Sequence, residues 1–141
     1  MTDPLALYRE LVIEHSRSTK YTGTLPSATC SATLHNPLCG DTITVHLEVN
    51  DAGIITNARY EAQGCAIAKA MASMMSERII GQAVAQAKSW SVLSQAAVTG
   101  DDQLGFHELT AMIALPARRR CATLPWDTLG AALQAASSAE A

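Results

Sequence analysis

Three of the four cysteines lie at predicted junctions between secondary-structure elements, where ligands from distant parts of a chain can converge on a metal. Cys39 stands in a turn that leads into a predicted strand. Cys65 follows Gly64 at the predicted start of a helix, where unpaired N–H groups and the positive end of the helix dipole favour a thiolate. Cys121 follows three consecutive arginines, which make its setting electropositive as well. These thiols are therefore candidates for metal or sulfur chemistry.

Asp41 is the candidate for a fourth ligand, because alternate residues of an extended chain point the same way and Asp41 lies two residues after Cys39. Gly40 between them can adopt a positive φ and has no side chain to crowd an ion. Three thiolates and one carboxylate form a four-coordinate set that zinc accepts, and the exchangeable oxygen ligand suits a site that must open. The long gaps from Cys39 to Cys65 and from Cys65 to Cys121 match no local zinc-finger pattern. Spacing alone therefore leaves a metal site and three incidental thiols equally open.

Length and composition indicate one domain with reduced cysteines. The 141 residues are 48% hydrophobic, enough for one core and too few for two, so we expect a single domain over residues 1–141 with a loose tail from about residue 137. The net charge of −3 and the scattered Lys and Arg argue against a nucleic-acid partner. No stretch approaches the roughly 20 apolar residues that cross a bilayer, and the N-terminus is unlike a signal peptide. We therefore expect a cytoplasmic protein with no membrane association and no disulfides.

The elements that must position these side chains are one helix, then strands, then further helices. Period-two alternation with a turn at 50–53 predicts three antiparallel strands over Thr29–Leu34, Thr42–Val49 and Ile54–Glu61. Helical periodicity with Gly and Pro boundaries predicts helices over Asp3–Ser16, Ala66–Ile80, Val84–Val98, Phe106–Ile113 and Pro125–Ala136. Because strands and later helices do not alternate, we predict an α+β fold in which helices pack on one face of a small three-stranded antiparallel sheet.

Three segments around the candidate ligands resemble the signature motifs of the NifU/IscU family and follow the family's order. They are Asn36–Asp41, Gly64–Ile67 continuing to Ser73–Met75, and Arg120–Leu124 followed by Trp126. The resemblance covers most of the chain and implies the SufE/NifU-like fold.

Two details are similar to the SufU branch of that family. Arg120 stands directly before the last cysteine, where IscU scaffolds carry a histidine, so a nitrogen ligand is replaced by a group that cannot bind a metal. The long region Gln82–Leu115 fits the insertion that SufU-like members carry between the second and third cysteines.

The resemblance implies a zinc-dependent sulfurtransferase that works in iron-sulfur cluster assembly. Cys39 would be the catalytic acceptor of persulfide sulfur from a pyridoxal-phosphate cysteine desulfurase of the SufS type, and other SUF assembly proteins are expected partners. Zinc would be held by Cys39, Asp41, Cys65 and Cys121, with a histidine of the desulfurase taking the place that Cys39 leaves.

Two alternatives to sulfur transfer stay open. The same ligands could form a scaffold that carries a transient [2Fe–2S] cluster as cargo, or zinc could only complete the fold.

Three further residues have both a functional and a structural interpretation. Cys30 lies on a predicted strand outside the motifs, so packing is favoured over a ligand role. For His35, an ordinary structural hydrogen bond is favoured over a proton-carrying role. For Arg120, a role at the site and a solvated surface position are equally open.

Overall fold

The computed structural model describes residues 4–37, 40–101 and 103–140, and at 4–8, 114 and 136–140 its description is limited to the backbone. Over these residues the chain forms a helix, a three-stranded meander and then further helices. The strands are β1 (Cys30–Asn36), β2 (Asp41–Val49) and β3 (Ile55–Gln63). The α helices are α1 (Pro4–Arg17), α2 (Ala66–Ile79), α3 (Val84–Ala97), α4 (His107–Thr110) and α5 (Arg119–Glu140). Two 3₁₀ turns, Ala111–Ala114 and Pro116–Arg118, lead from α4 into α5.

The sheet is antiparallel with strand order β1-β2-β3, and its two faces differ in polarity. Ile43, Val45 and Leu47 of β2 are fully or almost fully buried, because the period of two places them all on the inner face. The outer face is polar and carries cross-strand hydrogen bonds such as Thr33 to Thr44 at 2.8 Å. Helix α5 packs across β1 and β2, and α2 packs on β3. The predicted α+β architecture, with helices on one face of a three-stranded antiparallel sheet, is confirmed.

One hydrophobic cluster fills the space between the sheet and the helices and runs from Cys30 on β1 to Leu133 on α5. The single domain over residues 1–141 and the loose tail from about residue 137 stay predictions, since a helical backbone at 137–140 does not decide whether the tail is held. No helix in the described part of the chain has the combination of length and apolar character that crossing a membrane requires.

The last helix differs from the prediction, because it begins at Arg119 and contains Pro125 instead of starting there. Ala122, Leu124 and Trp126 are buried on this segment, and their packing outweighs the single hydrogen bond that a proline removes from a helix. Cys121 therefore lies in the first turn of α5, not before the last helix as the predicted start at Pro125 implied.

An ion pair between the buried Glu108 and the partly exposed Arg78 fixes the short helix α4 against α2. The Glu108 side chain is almost fully buried and accepts two hydrogen bonds from Arg78, from Nε at 2.7 Å and from Nη2 at 2.8 Å. The same guanidinium lies 3.9 Å from the ring centroid of Phe106. Because both carboxylate oxygens and the guanidinium plane are engaged, this pair holds the region between α3 and α5 to the rest of the fold.

Replacing Glu108 by Gln should lower the free energy of unfolding by about 2 kcal/mol, because it removes the charge that Arg78 pairs with in a buried setting. The matched control is Glu77→Gln, whose carboxylate is 57% exposed and 4.0 Å from His15; its effect should stay within about 0.5 kcal/mol. Urea unfolding followed by circular dichroism measures both. Equal effects of the two substitutions would contradict this role for the ion pair.

Candidate metal centre

Asp41, Cys65 and Cys121 come together from three different elements. Asp41 begins β2, Cys65 directly precedes α2, and Cys121 lies in the first turn of α5. One potential ligand atom from each lies within 4.8 Å of those of the other two. Asp41 and Cys121 are buried and Cys65 is half-buried. Three of the four predicted ligands thus form one cluster, although they are far apart in sequence.

The Asp41 carboxylate holds Cys65 in place. Its Oδ1 accepts a hydrogen bond from the Cys65 backbone N–H at 2.9 Å, and its Oδ2 lies 3.6 Å from the Cys65 sulfur. Cys65 is the N-cap of α2, where its sulfur accepts a hydrogen bond from the Ala68 N–H at 3.5 Å. The cap and the carboxylate together place the Cys65 side chain beside Asp41.

Gly64 makes this approach of sheet and helix possible. Its φ is +137°, and a Cβ added there would collide with the Asp41 carboxylate and would lie 2.9 Å from the Asp41 Cα. Any side chain at Gly64 would therefore displace the oxygen that Cys65 needs. In the sequence, Gly64 stands out only as part of a motif, and the signal for its role is its position directly before the candidate ligand Cys65.

Both thiols of the cluster lie at helix N-termini. Cys65 caps α2 and Cys121 is the third residue of α5. Unpaired N–H groups and the positive dipole ends of α2 and α5 therefore lie close to the two sulfurs. The electropositive setting predicted for Cys121 thus has a second source besides the preceding arginines, since the helix begins earlier than expected.

Cys39, the predicted catalytic residue and fourth ligand, lies outside the described residues. The chain on either side of it forms the connection between β1 and β2, whose last registered pair is Asn36 and Asp41. Gly40 has a φ of +70°, and its N–H donates to the Asn36 carbonyl at 2.9 Å. The role of Cys39 as a ligand and acceptor stays a prediction.

The donor set fits a zinc ion. A tetrahedral site with Zn–S bonds of about 2.3 Å places two sulfurs about 3.8 Å apart, so donors within 4.8 Å of one another need only small adjustments. No basic side chain in the described ranges forms an ion pair with the buried Asp41. A buried carboxylate without a counter-charge is unfavourable, and a divalent cation bound between it and the thiols would supply that charge.

Comparison with known proteins agrees with the motifs. The family described as "NifU-like N terminal domain" matches residues 7–139. The chain belongs to this family. The resemblance stated from the three motifs is thereby confirmed.

Relatives within the NifU-like family carry two kinds of name. "Iron-sulfur cluster assembly scaffold protein IscU" of Thermotoga maritima is 36% identical over 133 residues, which cover 91% of this chain and 93% of that protein. "Zinc-dependent sulfurtransferase SufU" of Bacillus subtilis is 33% identical over 129 residues, covering 87% and 86%. A crystal structure from Fervidobacterium islandicum AW-1, named FiSufU and assigned to the SUF system as a cluster assembly scaffold, superposes with a TM-score of 0.80 at 29% identity, covering 88% and 94%. The second and third relatives support the SufU branch.

The remaining candidate residues of this NifU-like chain lie outside the three-residue cluster. His35 is exposed, and its Nδ1 forms a hydrogen bond with the Thr42 hydroxyl at 2.9 Å, which agrees with the favoured structural interpretation. Arg120 is exposed and lines a cleft. Cys30 is buried at the opposite end of β1 from Asn36, and burial raises the pKa of its thiol while a hydrogen bond with Thr29 opposes the rise. Cys30 therefore stays a neutral packing side chain.

Replacing Gly64 by Ala should lower zinc affinity by about tenfold or more, because the added methyl group displaces the Asp41 carboxylate. Gly81→Ala is the matched control, since Gly81 also has a positive φ of +92° but a Cβ there meets nothing within 4 Å. Both variants carry the same kind of backbone strain, and only Gly64→Ala disturbs the ligands. Competition with a chromogenic zinc chelator measures the affinities, and an equal loss in both variants would contradict the assignment.

Proposed function

We propose that this protein works in iron-sulfur cluster assembly as a zinc-dependent sulfurtransferase, which accepts persulfide sulfur from a cysteine desulfurase of the SufS type. The observation that carries the proposal is the convergence of the Asp41, Cys65 and Cys121 donor atoms within 4.8 Å of one another. Membership of the NifU-like family and the relative named SufU support it. In this proposal Cys39 is the fourth zinc ligand and the catalytic residue, and further SUF assembly proteins receive the sulfur.

In this proposal Asp41, Cys65 and Cys121 hold the zinc ion in place. When bound, zinc would keep the coordinated thiols deprotonated at neutral pH. Asp41 keeps the Cys65 N–H and sulfur in place through its two oxygens, and the start of α2 presents its N–H groups toward the same region. Cys121 is fully buried, so a partner's persulfide cannot reach its sulfur.

Cys39 is the cysteine best suited to meet a partner. Its described neighbours Pro37 and Gly40 are exposed, whereas Cys121 and Cys30 are buried and Cys65 is engaged by Asp41. We therefore expect the Cys39 thiolate to be open to in-line attack on a persulfide held on another protein.

The atoms and electrons of the sulfur-transfer step balance without any outside oxidant or reductant. The Cys39 thiolate attacks the outer sulfur of the donor's persulfide, and a new S–S bond forms at Cys39. The S–S bond on the donor breaks, and its electron pair stays on the donor's cysteine as a thiolate. The persulfide has moved from one protein to the other, and the desulfurase is ready for another turnover.

A scaffold on which a [2Fe–2S] cluster is assembled is the second candidate. The name of the Thermotoga maritima relative supports it, and thiolates are the usual cluster ligands. Arg120, a residue that cannot bind a metal, stands where a scaffold would use a nitrogen ligand, and the region of α3 and α4 lengthens the chain between Cys65 and Cys121. These two features favour sulfur transfer.

Adding the zinc-loaded protein to a SufS-type desulfurase with cysteine should raise alanine production several-fold. Cys39→Ala should abolish this increase, because the acceptor sulfur is gone. Cys30→Ala is the matched control and should retain it, since Cys30 is a buried packing residue on β1. Alanine and sulfide are measured over time.

No stimulation by the intact protein would overturn sulfur transfer. A stable brown species formed from the intact protein with anaerobic iron and sulfide, together with no stimulation, would favour the scaffold instead.

A further inference from the structure

A cleft of about 340 Å³ adjoins the donor set, between the end of β1 and the helices α3 and α5. Two of its lining residues connect it directly to the candidate ligands. Asn36 pairs with Asp41 across β1 and β2, and Arg120 directly precedes Cys121. Pro37, which begins the turn toward Cys39, lines it as well. The cleft therefore lies beside the candidate site, on the side where a partner can place a group next to Arg120.

The two ends of this cleft differ in charge. Arg120 is exposed at one end, and no carboxylate of the described residues forms an ion pair with its guanidinium. Asp127 lies two helical turns further along α5, about 10 Å away along the axis, and accepts a hydrogen bond from Gln95 at 2.6 Å. An anion entering the cleft would be attracted to the Arg120 end and repelled from the Asp127 end.

Sulfur transfer has an electrostatic difficulty that a cation at this place would relieve. The attacking Cys39 sulfur is a thiolate, and a persulfide that has lost its proton is also an anion. Two sulfur anions approaching bonding distance repel each other, and the repulsion is stronger at a partly desolvated interface than in water. The buried Asp41 adds a further carboxylate to the neighbourhood.

Building on the proposed function, we propose that Arg120 binds the anionic persulfide of the sulfur donor at the mouth of the cleft and neutralises its charge as Cys39 attacks. Arginine suits this task because its guanidinium stays charged and offers several N–H donors. The arginine before Cys121 thus has a function of its own, separate from metal binding.

The test compares the affinity of the zinc-loaded protein for two forms of a SufS-type desulfurase. One form is persulfidated with cysteine and desalted, and the other is reduced with dithiothreitol. Calorimetry is done with the intact protein, Arg120→Ala and Arg120→Lys. Arg17→Ala is the matched control, because Arg17 is an exposed arginine at the end of α1 and does not line the cleft. Zinc content is measured for every variant.

The intact protein should bind the persulfidated form about five-fold more tightly than the reduced form, as expected for one charge-assisted contact. Arg120→Ala should lose this preference with its zinc content unchanged, Arg120→Lys should keep part of it, and Arg17→Ala should keep all of it.

Arg120→Ala with the full preference, or with its zinc lost, would overturn the inference. These results are distinguishable from a failure of the proposed function, in which the intact protein itself would not stimulate the desulfurase.

Discussion

The hydrogen bond from the Cys65 backbone to the Asp41 carboxylate is the contact on which the rest of the site depends. It joins the first residue of β2 to the residue that caps α2, at a distance of 2.9 Å. Because Asp41 is fully buried, its charge must be compensated within the protein, and the N-terminus of α2 supplies part of that compensation. A cation bound between the carboxylate and the two thiols would supply the rest.

The fold separates the fixed part of the site from the part that can meet a partner. Asp41, Cys65 and Cys121 are held by a strand and two helix N-termini, all on the buried side of the sheet. Pro37, Gly40 and Arg120, which lies beside the cleft, are exposed. This arrangement suits a site in which one sulfur must leave while the other ligands stay.

Sequence patterns predicted the elements well where packing followed local periodicity. The alternation of β2 and the Ala- and Met-rich stretch of α2 were sufficient, because each pattern corresponds to one kind of burial. The start of α5 was missed because buried contacts of Trp126 and its neighbours, made with distant elements, outweigh the local signal of Pro125. The contact between Gly64 and Asp41 and the cleft beside Arg120 arise from tertiary packing, so no local pattern could reveal them. The convergence of the ligands was predictable only through the family motifs, since spacing alone left it open.

Zinc K-edge X-ray absorption of the zinc-loaded protein counts the sulfur and oxygen atoms around the metal, and so decides whether these side chains hold it. We expect one zinc per chain with three sulfurs at about 2.3 Å and one oxygen at about 2.0 to 2.2 Å. A spectrum that fits only nitrogen and oxygen neighbours would contradict it, since the thiols that the fold brings together would then not hold the ion.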